Sequence, residues 1–407
     1  MSRWGRRNLT FFEYLALGLC AIPFIYYLLA LFSALKFFTE ARLRRSQGSD
    51  FTPPVSCLKP IRGLNVEAYE NFSSFCLQDY PEYEIVFCVD RDDPAIPVLN
   101  KIVEDFPHTK IRLLYGSSGV GINDKVARLV RLSQEAKYDL FVISDGDVRV
   151  RPDYIKSVVA PFSDLKIGAA TTLYASTPAR SPLEALQSVA MLSDFFAGIM
   201  VDWKLEEVKF TFGQTIVATR KGIDGFGGYR AIANRPADDL LVGRLIAEQG
   251  YKVDLLPYVV QTVPDFSSWK EFLLKRVRWM TVMRFMRPWG HVGLIFTWGL
   301  IWALIAIALH PTLPLAVGYL GVYAVLRISM TWLIGSWGMR QRGVWKKLPL
   351  IPLWDLFAFA IWLVSFGTET IRWGGKDYRI RRGQLVPIEP AEPQSAATRH
   401  ASNPKGI

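Results

Sequence analysis

The chain has 407 residues, is 50% hydrophobic and carries a formal net charge of +11. Its apolar excess sits in discrete runs at the two ends, which disfavours an ordinary soluble domain and points to a membrane protein with a polar middle. The basic residues crowd around those runs, so anionic headgroups and topology explain the charge better than nucleic acid does.

The four cysteines, Cys20, Cys57, Cys76 and Cys88, form no CxxC pair. Neither a disulfide framework nor a zinc site follows from them. Buried thiols of this kind fit a reducing cytosol.

Arg3, Arg6 and Arg7 precede an almost uninterrupted apolar run from Tyr14 to Leu35. It is long enough to span a bilayer and runs straight into Lys36, Arg42, Arg44 and Arg45, so an uncleaved anchor over 1–45 is expected. A short polar linker follows at 46–53. Strands are then predicted at PVSCLKP, at YEIVFCVD (83–90), at Lys110–Tyr115 and at 139–144, with helices at 65–79, 95–106 and 123–136 between them. This alternation argues for a mostly parallel α/β sheet with helices on both faces.

Pro152 opens a helix, and strands are expected at Gly168–Tyr174 and Thr215–Arg220. Between them Leu183–Val201 is apolar but interrupted by Glu184, Gln187, Ser193 and Asp194. An amphipathic helix in the membrane interface is expected there, with an ordinary core helix as the alternative. Residues 221–236 read as a glycine-rich loop, 237–249 as a helix, 252–260 as a strand and 267–287 as a basic, aromatic helix. Three further apolar runs lie near 291–309, 312–334 and 352–371. If all three cross, the basic tail falls on the side away from the α/β domain, against its preference for the cytoplasm, unless the last run is re-entrant or interfacial. The organisation expected is therefore an anchor at 1–45, an α/β domain at 46–288, a membrane region at 289–372 and a basic, then disordered, tail at 373–407.

Four polar clusters stand out. Asp90-Arg91-Asp92-Asp93 and Asp145-Gly146-Asp147 each end a predicted strand, where open α/β sheets place ligands. Two carboxylates one residue apart can face one hard cation. Asp238-Asp239 opens a helix, where acids also serve simply as caps. Lys275-Arg276-Val277-Arg278-Trp279 is either a phosphate-binding cluster or a basic membrane face. A diphosphate-linked sugar donor needs all of these parts: carboxylates for a cation, arginine for the remaining phosphate charge and a carboxylate base for the acceptor hydroxyl.

The ordered set VSCLKPIRG, LQDYPEYEIVFCV, RDDPA, GINDK, DGDVRV, ADDLLVGRLIAEQGY and KRVRW resembles the membrane glycosyltransferases of families 2 and 21 over about residues 10–385. Ceramide glucosyltransferases and the bacterial hopanoid-pathway N-acetylglucosaminyltransferases are the similar groups. The resemblance implies a GT-A type, Rossmann-like mixed sheet with transmembrane helices at both ends. It implies a UDP-sugar donor, a lipid acceptor (ceramide or hopanoid), Mg2+ or Mn2+, and a catalytic domain on the cytoplasmic face of a bacterial inner membrane. By position, Asp93 matches the aspartate near the nucleotide, Asp145 the metal-site carboxylate and Asp239 the catalytic base. Lys125, Arg278 and Trp279 match donor-side residues, and Asp147 joins Asp145 as a metal ligand. Asp92 and Asp238 neighbour these acids and remain alternatives to them. Two departures stand out. Lys275 replaces the Gln or Arg that opens the family's terminal motif, keeping a charge but losing the planar fork. Asp147 makes a fuller DxD than the Asp-x-Gly of the animal ceramide enzymes. A processive polysaccharide synthase and a non-catalytic membrane scaffold are the rival readings.

Overall fold

The computed structural model describes residues 10–45, 50–264, 266, 268–373 and 376–388. The N-terminal arginines, the first half of the linker (46–49) and the tail beyond 388 lie outside the described residues.

The α/β domain is built on one eight-stranded sheet. Its strands are β1 (Val55–Pro60), β2 (Tyr83–Val89), β3 (Ile111–Tyr115), β4 (Leu140–Ile143), β5 (Val148–Arg149), β6 (Ile167–Ser176), β7 (Ile216–Thr219) and β8 (Lys252–Thr262). The order across the sheet is β3-β2-β1-β4-β7-β6-β8-β5. The first four of these run parallel, as the alternating sequence predicts. β7 then pairs antiparallel with both β4 and β6, so the sheet is mixed. The central strands are mostly apolar because both faces are covered: Val55, Cys57, Phe87 and Val142 pack on one side, and Leu58, Val86, Phe141 and Ile143 on the other. All four cysteines are buried free thiols.

Among the described residues four helices are long and apolar enough to cross a membrane: Phe11–Leu43, Pro182–Leu205, Leu313–Gly338 and Val344–Phe366. A further pair, Pro288–Thr297 and Gly299–Leu309, is bent by 56°. The N-terminal run is itself broken at Ala21 into Phe11–Cys20 and Ile22–Arg45. Leu313, Val317 and Val325 leave an apolar face of the helix Leu313–Gly338 exposed. Pro182–Leu205 differs, because 72% of its apolar window is buried inside the protein. Its polar interruptions are absorbed by protein contacts, and it bridges the sheet to the apolar helices: Leu183 and Leu186 join the cluster around Trp354, and Trp203 packs edge-on against Phe37.

One expectation is corrected and one element is added. Residues 221–236 are not simply a loop: they carry short helical turns at Arg220–Gly225 and Tyr229–Ile232. The basic part of the tail, for which no element was expected, forms a small sheet, while the stretch expected to be disordered lies outside the described residues. Strands β9 (Thr370–Trp373), β10 (Lys376–Arg381) and β11 (Gln384–Pro387) form an antiparallel sheet. Ile371, Tyr378, Ile380 and Leu385 alternate along it and pack on Ile122, Val282 and Phe285, while Leu385 N–H donates to the Asn234 carbonyl at 2.8 Å. Its surface is so basic that composition hides this period-two apolar face.

That sheet returns the chain to the α/β domain. The preceding helix, Ile351–Phe366, lies alongside the basic helix Trp269–Met286. Phe357 packs near Trp269 and Trp354 near Phe272, while Arg284 donates to the Phe366 and Thr368 carbonyls at 2.6 and 2.7 Å.

Candidate active site

Three loops at strand ends and one helix start converge on a single cavity of about 1210 Å³. Asp145 and Asp147 follow β4. Its backbone is held from both sides: buried Lys59 donates from Nζ to the Asp145 carbonyl at 2.8 Å, and Asp145 N–H donates to the Gly213 carbonyl at 3.1 Å. Lys59 also donates to Ser144 Oγ at 2.8 Å, and burial lowers its pKa to about 7. Asp147 is pushed up to about 6, by burial and then by the Asp145 charge, with Lys275 and Lys59 opposing.

Asp239 sits at the start of the helix Asp238–Glu248. Its Oδ2 accepts from Gly213 N–H at 3.1 Å and its Oδ1 from its neighbour Leu240 N–H at 2.9 Å. Thr211 Oγ1 holds the Asp239 carbonyl at 2.6 Å. Burial and the adjacent Asp238 charge push Asp239 up to about 6, while Lys125 pulls the other way. Ala237, just before the helix, has φ 54°, a left-handed conformation costly for a residue with a Cβ. Such local strain clusters at functional sites.

Gly213 is therefore the hinge between the second and third acidic sites. A Cβ there would lie 2.7 Å from Asp145 Oδ2 and 3.0 Å from Lys125 Nζ. Gly213→Ala is expected to leave the fold intact but displace both acids and lower turnover by about 10²-fold, the cost of a misplacement near 1 Å. A circular-dichroism spectrum beside initial rates checks this, and a wild-type rate would contradict it.

Lys125 ties the acids together. Its Nζ lies 2.6 Å from Asp145 Oδ1 and 3.5 Å from Asp238 Oδ2. Burial disfavours its charge, but Asp145, Asp238 and Asp239 outweigh that and hold its pKa above the ordinary value. Asp238 is only 4% exposed and also accepts from Asn123 Nδ2, so it is the more structural of the adjacent pair.

From the opposite wall, Lys275, Arg278 and Trp279 project from the helix Trp269–Met286. Burial lowers the pKa of both Lys275 and Arg278. Asp93 stands apart. It does not line the cavity; its carboxylate accepts from Gly63 N–H at 2.8 Å and Ala95 N–H at 2.9 Å, tying the loop after β1 to the loop after β2.

Sequence reasoning missed Lys59, Gly213 and Arg128. Arg128 is 1% exposed and pairs with Asp90 and with Asp124, so it anchors the first acidic cluster. Only a lysine or arginine inside an otherwise apolar segment hints at such residues.

The donor set fits a hard divalent cation. Two neighbouring carboxylates face one cavity, and the second is pushed toward neutrality by burial and then by the charge of the first. Among the described residues no group of three His, Cys, Asp or Glu is gathered round one point. Two carboxylates completed by diphosphate oxygens match how Mg2+ is commonly held.

Glycosyl transferase family 21 matches residues 16–386. The chain belongs to this family of glycosyltransferases. It is 23% identical to ceramide glucosyltransferase 3 of Caenorhabditis elegans, over 86% of this chain and 78% of that one. It is 24% identical to ceramide glucosyltransferase 1 of the same organism, over 94% and 83%. Among solved structures, a mannosyltransferase from Pyrobaculum calidifontis in complex with GDP-Man and Mn2+ aligns with a TM-score of 0.46 at 16% identity, covering 85% of this chain and 99% of that one.

Proposed function

We propose that the chain transfers a hexose from a UDP-sugar to the hydroxyl of a membrane lipid with inversion, with UDP-glucose as donor and ceramide as acceptor. The observation that carries this reading is the continuity of the cavity. Its polar end holds Asp145, Asp147 and Asp239, and its apolar end reaches Leu294, Trp298 and Ile361 among the apolar helices. A lipid can lie in the apolar end while only its headgroup meets the acids.

In this reading Asp239 accepts the proton of the acceptor hydroxyl. The freed oxygen attacks the anomeric carbon, forming the new glycosidic bond as the bond to the UDP oxygen breaks. Arg278 and Lys275 take up charge on the departing diphosphate. Mg2+ or Mn2+ on Asp145 and Asp147 would supply further stabilisation of that charge. Lys125 pairs with Asp145 and Asp238, and the Gly213 peptide bonds to both Asp145 and Asp239, which keeps these acids in a fixed relation. Asp93, through Gly63 and Ala95, shapes the loops that would receive the nucleotide.

The membrane placement proposed has three crossing segments: Phe11–Leu43, the bent Pro288–Leu309 pair and Leu313–Gly338. Ile351–Phe366 lies with Trp269–Met286 at the interface, so the domain and the β9–β11 sheet share the cytoplasmic face. The side-by-side packing of those two helices supports this placement, which would keep the basic tail on the side of the α/β domain.

The pH profile offers a test of the base. A carboxylate raised to about 6 is mostly neutral below that pH and ionised above it. Turnover at saturating substrate is expected to climb between pH 5 and 7 and then level, as checked by initial rates across that range. A flat profile would contradict the assignment.

The substrate test uses purified protein with UDP-glucose, UDP-galactose or UDP-N-acetylglucosamine against ceramide, diacylglycerol or a hopanoid, with lipid products read by mass spectrometry. Hexosylceramide from UDP-glucose is expected. Product from a hopanoid alone would overturn the acceptor.

A further inference from the structure

The membrane end of the cavity holds a second polar layer that the transfer chemistry does not use. The helix Pro182–Ala190 widens into a π turn at Met191–Phe195 before continuing as Phe196–Leu205. π turns inside helices mark functional positions frequently. This one sets Asp194 on the cavity wall.

Asp194 is held by two donors, Arg327 on Oδ1 and Trp354 Nε1 on Oδ2. Arg327 is itself matched by Asp355. Its Nη2 reaches Asp355 Oδ1 at 2.6 Å and its Nε reaches Oδ2 at 3.3 Å, with both side chains 1% exposed. Tyr323 O–H adds a donor to Asp355 Oδ2 at 2.7 Å. One guanidinium thus faces two carboxylates, and the two-point pairing to Asp355 leaves Asp194 with the surplus negative charge. A carboxylate has about four acceptor positions. Two on Asp194 are filled, and a quarter of its side chain (25%) is exposed.

Arg276 supplies the opposite imbalance. It lines the same cavity and donates to Gln187 Oε1, a neutral partner. Its guanidinium lies 5.1 Å from the ring centres of Trp279 and Trp354 and 5.6 Å from that of Phe272. No carboxylate pairs with it among the described residues. Arg276 and Asp194 are close enough to influence each other electrostatically. Tyr174 lies toward the acids, within the field of Arg276 on one side and of Asp239, Asp147 and Asp145 on the other.

We propose that Asp194 and Arg276 form an acceptor-recognition site for a lipid that carries a secondary amide beside its reacting hydroxyl. The amide N–H donates to the Asp194 carboxylate, and the amide carbonyl accepts from the Arg276 guanidinium. A surplus acceptor and a surplus donor on one wall match a neutral group that offers one of each. They match an anionic headgroup poorly, because Asp194 would repel it. The site rests on the lipid-acceptor reading and adds the chemical feature by which that lipid is chosen. Both residues are positioning and specificity residues, since neither reaches the reacting atoms.

The test compares kcat/KM for ceramide with that for diacylglycerol of matched chain length, using the full chain in detergent or nanodiscs. A site built around an amide rejects an analogue lacking its N–H, so a wild-type preference of about 10²-fold or more is expected. Asp194→Asn is expected to reduce that preference to less than about tenfold, mainly by raising the ceramide KM. Arg276→Gln is expected to raise the KM of both lipids about tenfold with kcat kept, because the ester carbonyl of diacylglycerol can accept from the guanidinium as the amide carbonyl does. Asp194 also braces buried Arg327, so thermal melting accompanies each variant. If Asp194→Asn does not fold, Arg276→Gln decides through that KM effect, because its polar partner is Gln187 alone among the described residues. Wild-type preference persisting in folded Asp194→Asn, or an unchanged ceramide KM in Arg276→Gln, overturns the recognition site while leaving the lipid-acceptor reading intact. Absence of any ceramide product from the wild type overturns that acceptor reading as well.

Discussion

Asp239→Asn is expected to lower turnover by about 10²–10⁴-fold, the usual contribution of a positioned general base. The substitution keeps the shape of the side chain. Its amide oxygen can still accept from the Gly213 and Leu240 N–H groups that hold the carboxylate now. What it removes is the ability to take a proton. Asp238→Asn is the internal comparison. Asp238 is nearly buried and engaged with Asn123 and Lys125, so its loss is expected to disturb the site through Lys125 rather than remove the base. The two variants should therefore separate in pH behaviour. Asp238→Asn retains a rise in rate through the acid range, shifted downward because the Asp238 charge no longer raises Asp239. Asp239→Asn loses the rise. Initial rates on both variants across pH 5–8 check this, and near-normal turnover in Asp239→Asn would remove the proposed base.

The second large effect concerns the divalent cation. Exhaustive chelation with EDTA is expected to suppress sugar transfer by about 10³-fold, the kinetic equivalent of several kcal/mol of lost charge stabilisation. Added Mg2+ or Mn2+ should restore it. The reason lies in the acid pair. Asp145 is neutralised by Lys125 at 2.6 Å, but Asp147 remains beside it, pushed up to about 6. A cation shared by both carboxylates and a diphosphate relieves that repulsion. Titrating metal back into the chelated protein, with transfer followed by lipid product, checks it. Undiminished transfer in the chelated protein would show that Lys275 and Arg278 carry the diphosphate charge unaided.

Much of this was legible from the chain alone because the relevant patterns are local. The apolar runs of β1, β2 and β4 end in turns or acids, and Asn123 caps the helix that was expected to start with it. The convergence of Asp145, Asp147, Lys125 and Asp239 on one cavity agrees with the order of the motifs. What was not legible depends on contacts distant in sequence. Gly213 matters because two acids from opposite sides bond to its peptide, which no spacing rule reveals. Lys59 reads as the end of a strand until its Nζ is found under Ser144 and Asp145. The β9–β11 sheet was hidden because Arg372, Lys376, Arg379 and Arg381 mask its buried alternation. The course of Ile351–Phe366 was hidden because composition reports apolarity, whereas its partner, the basic helix Trp269–Met286, decides where it lies.

The most direct measurement of the whole account is made on the product. The full chain, reconstituted in lipid vesicles, is supplied with UDP-glucose, ceramide and Mg2+ or Mn2+. The glycolipid is then isolated, and its linkage is read by proton nuclear magnetic resonance. A single in-line displacement at the α-linked carbon of UDP-glucose predicts a β-linked glucosyl lipid. An α-linked product, or release of free glucose with no glycolipid formed, would contradict it.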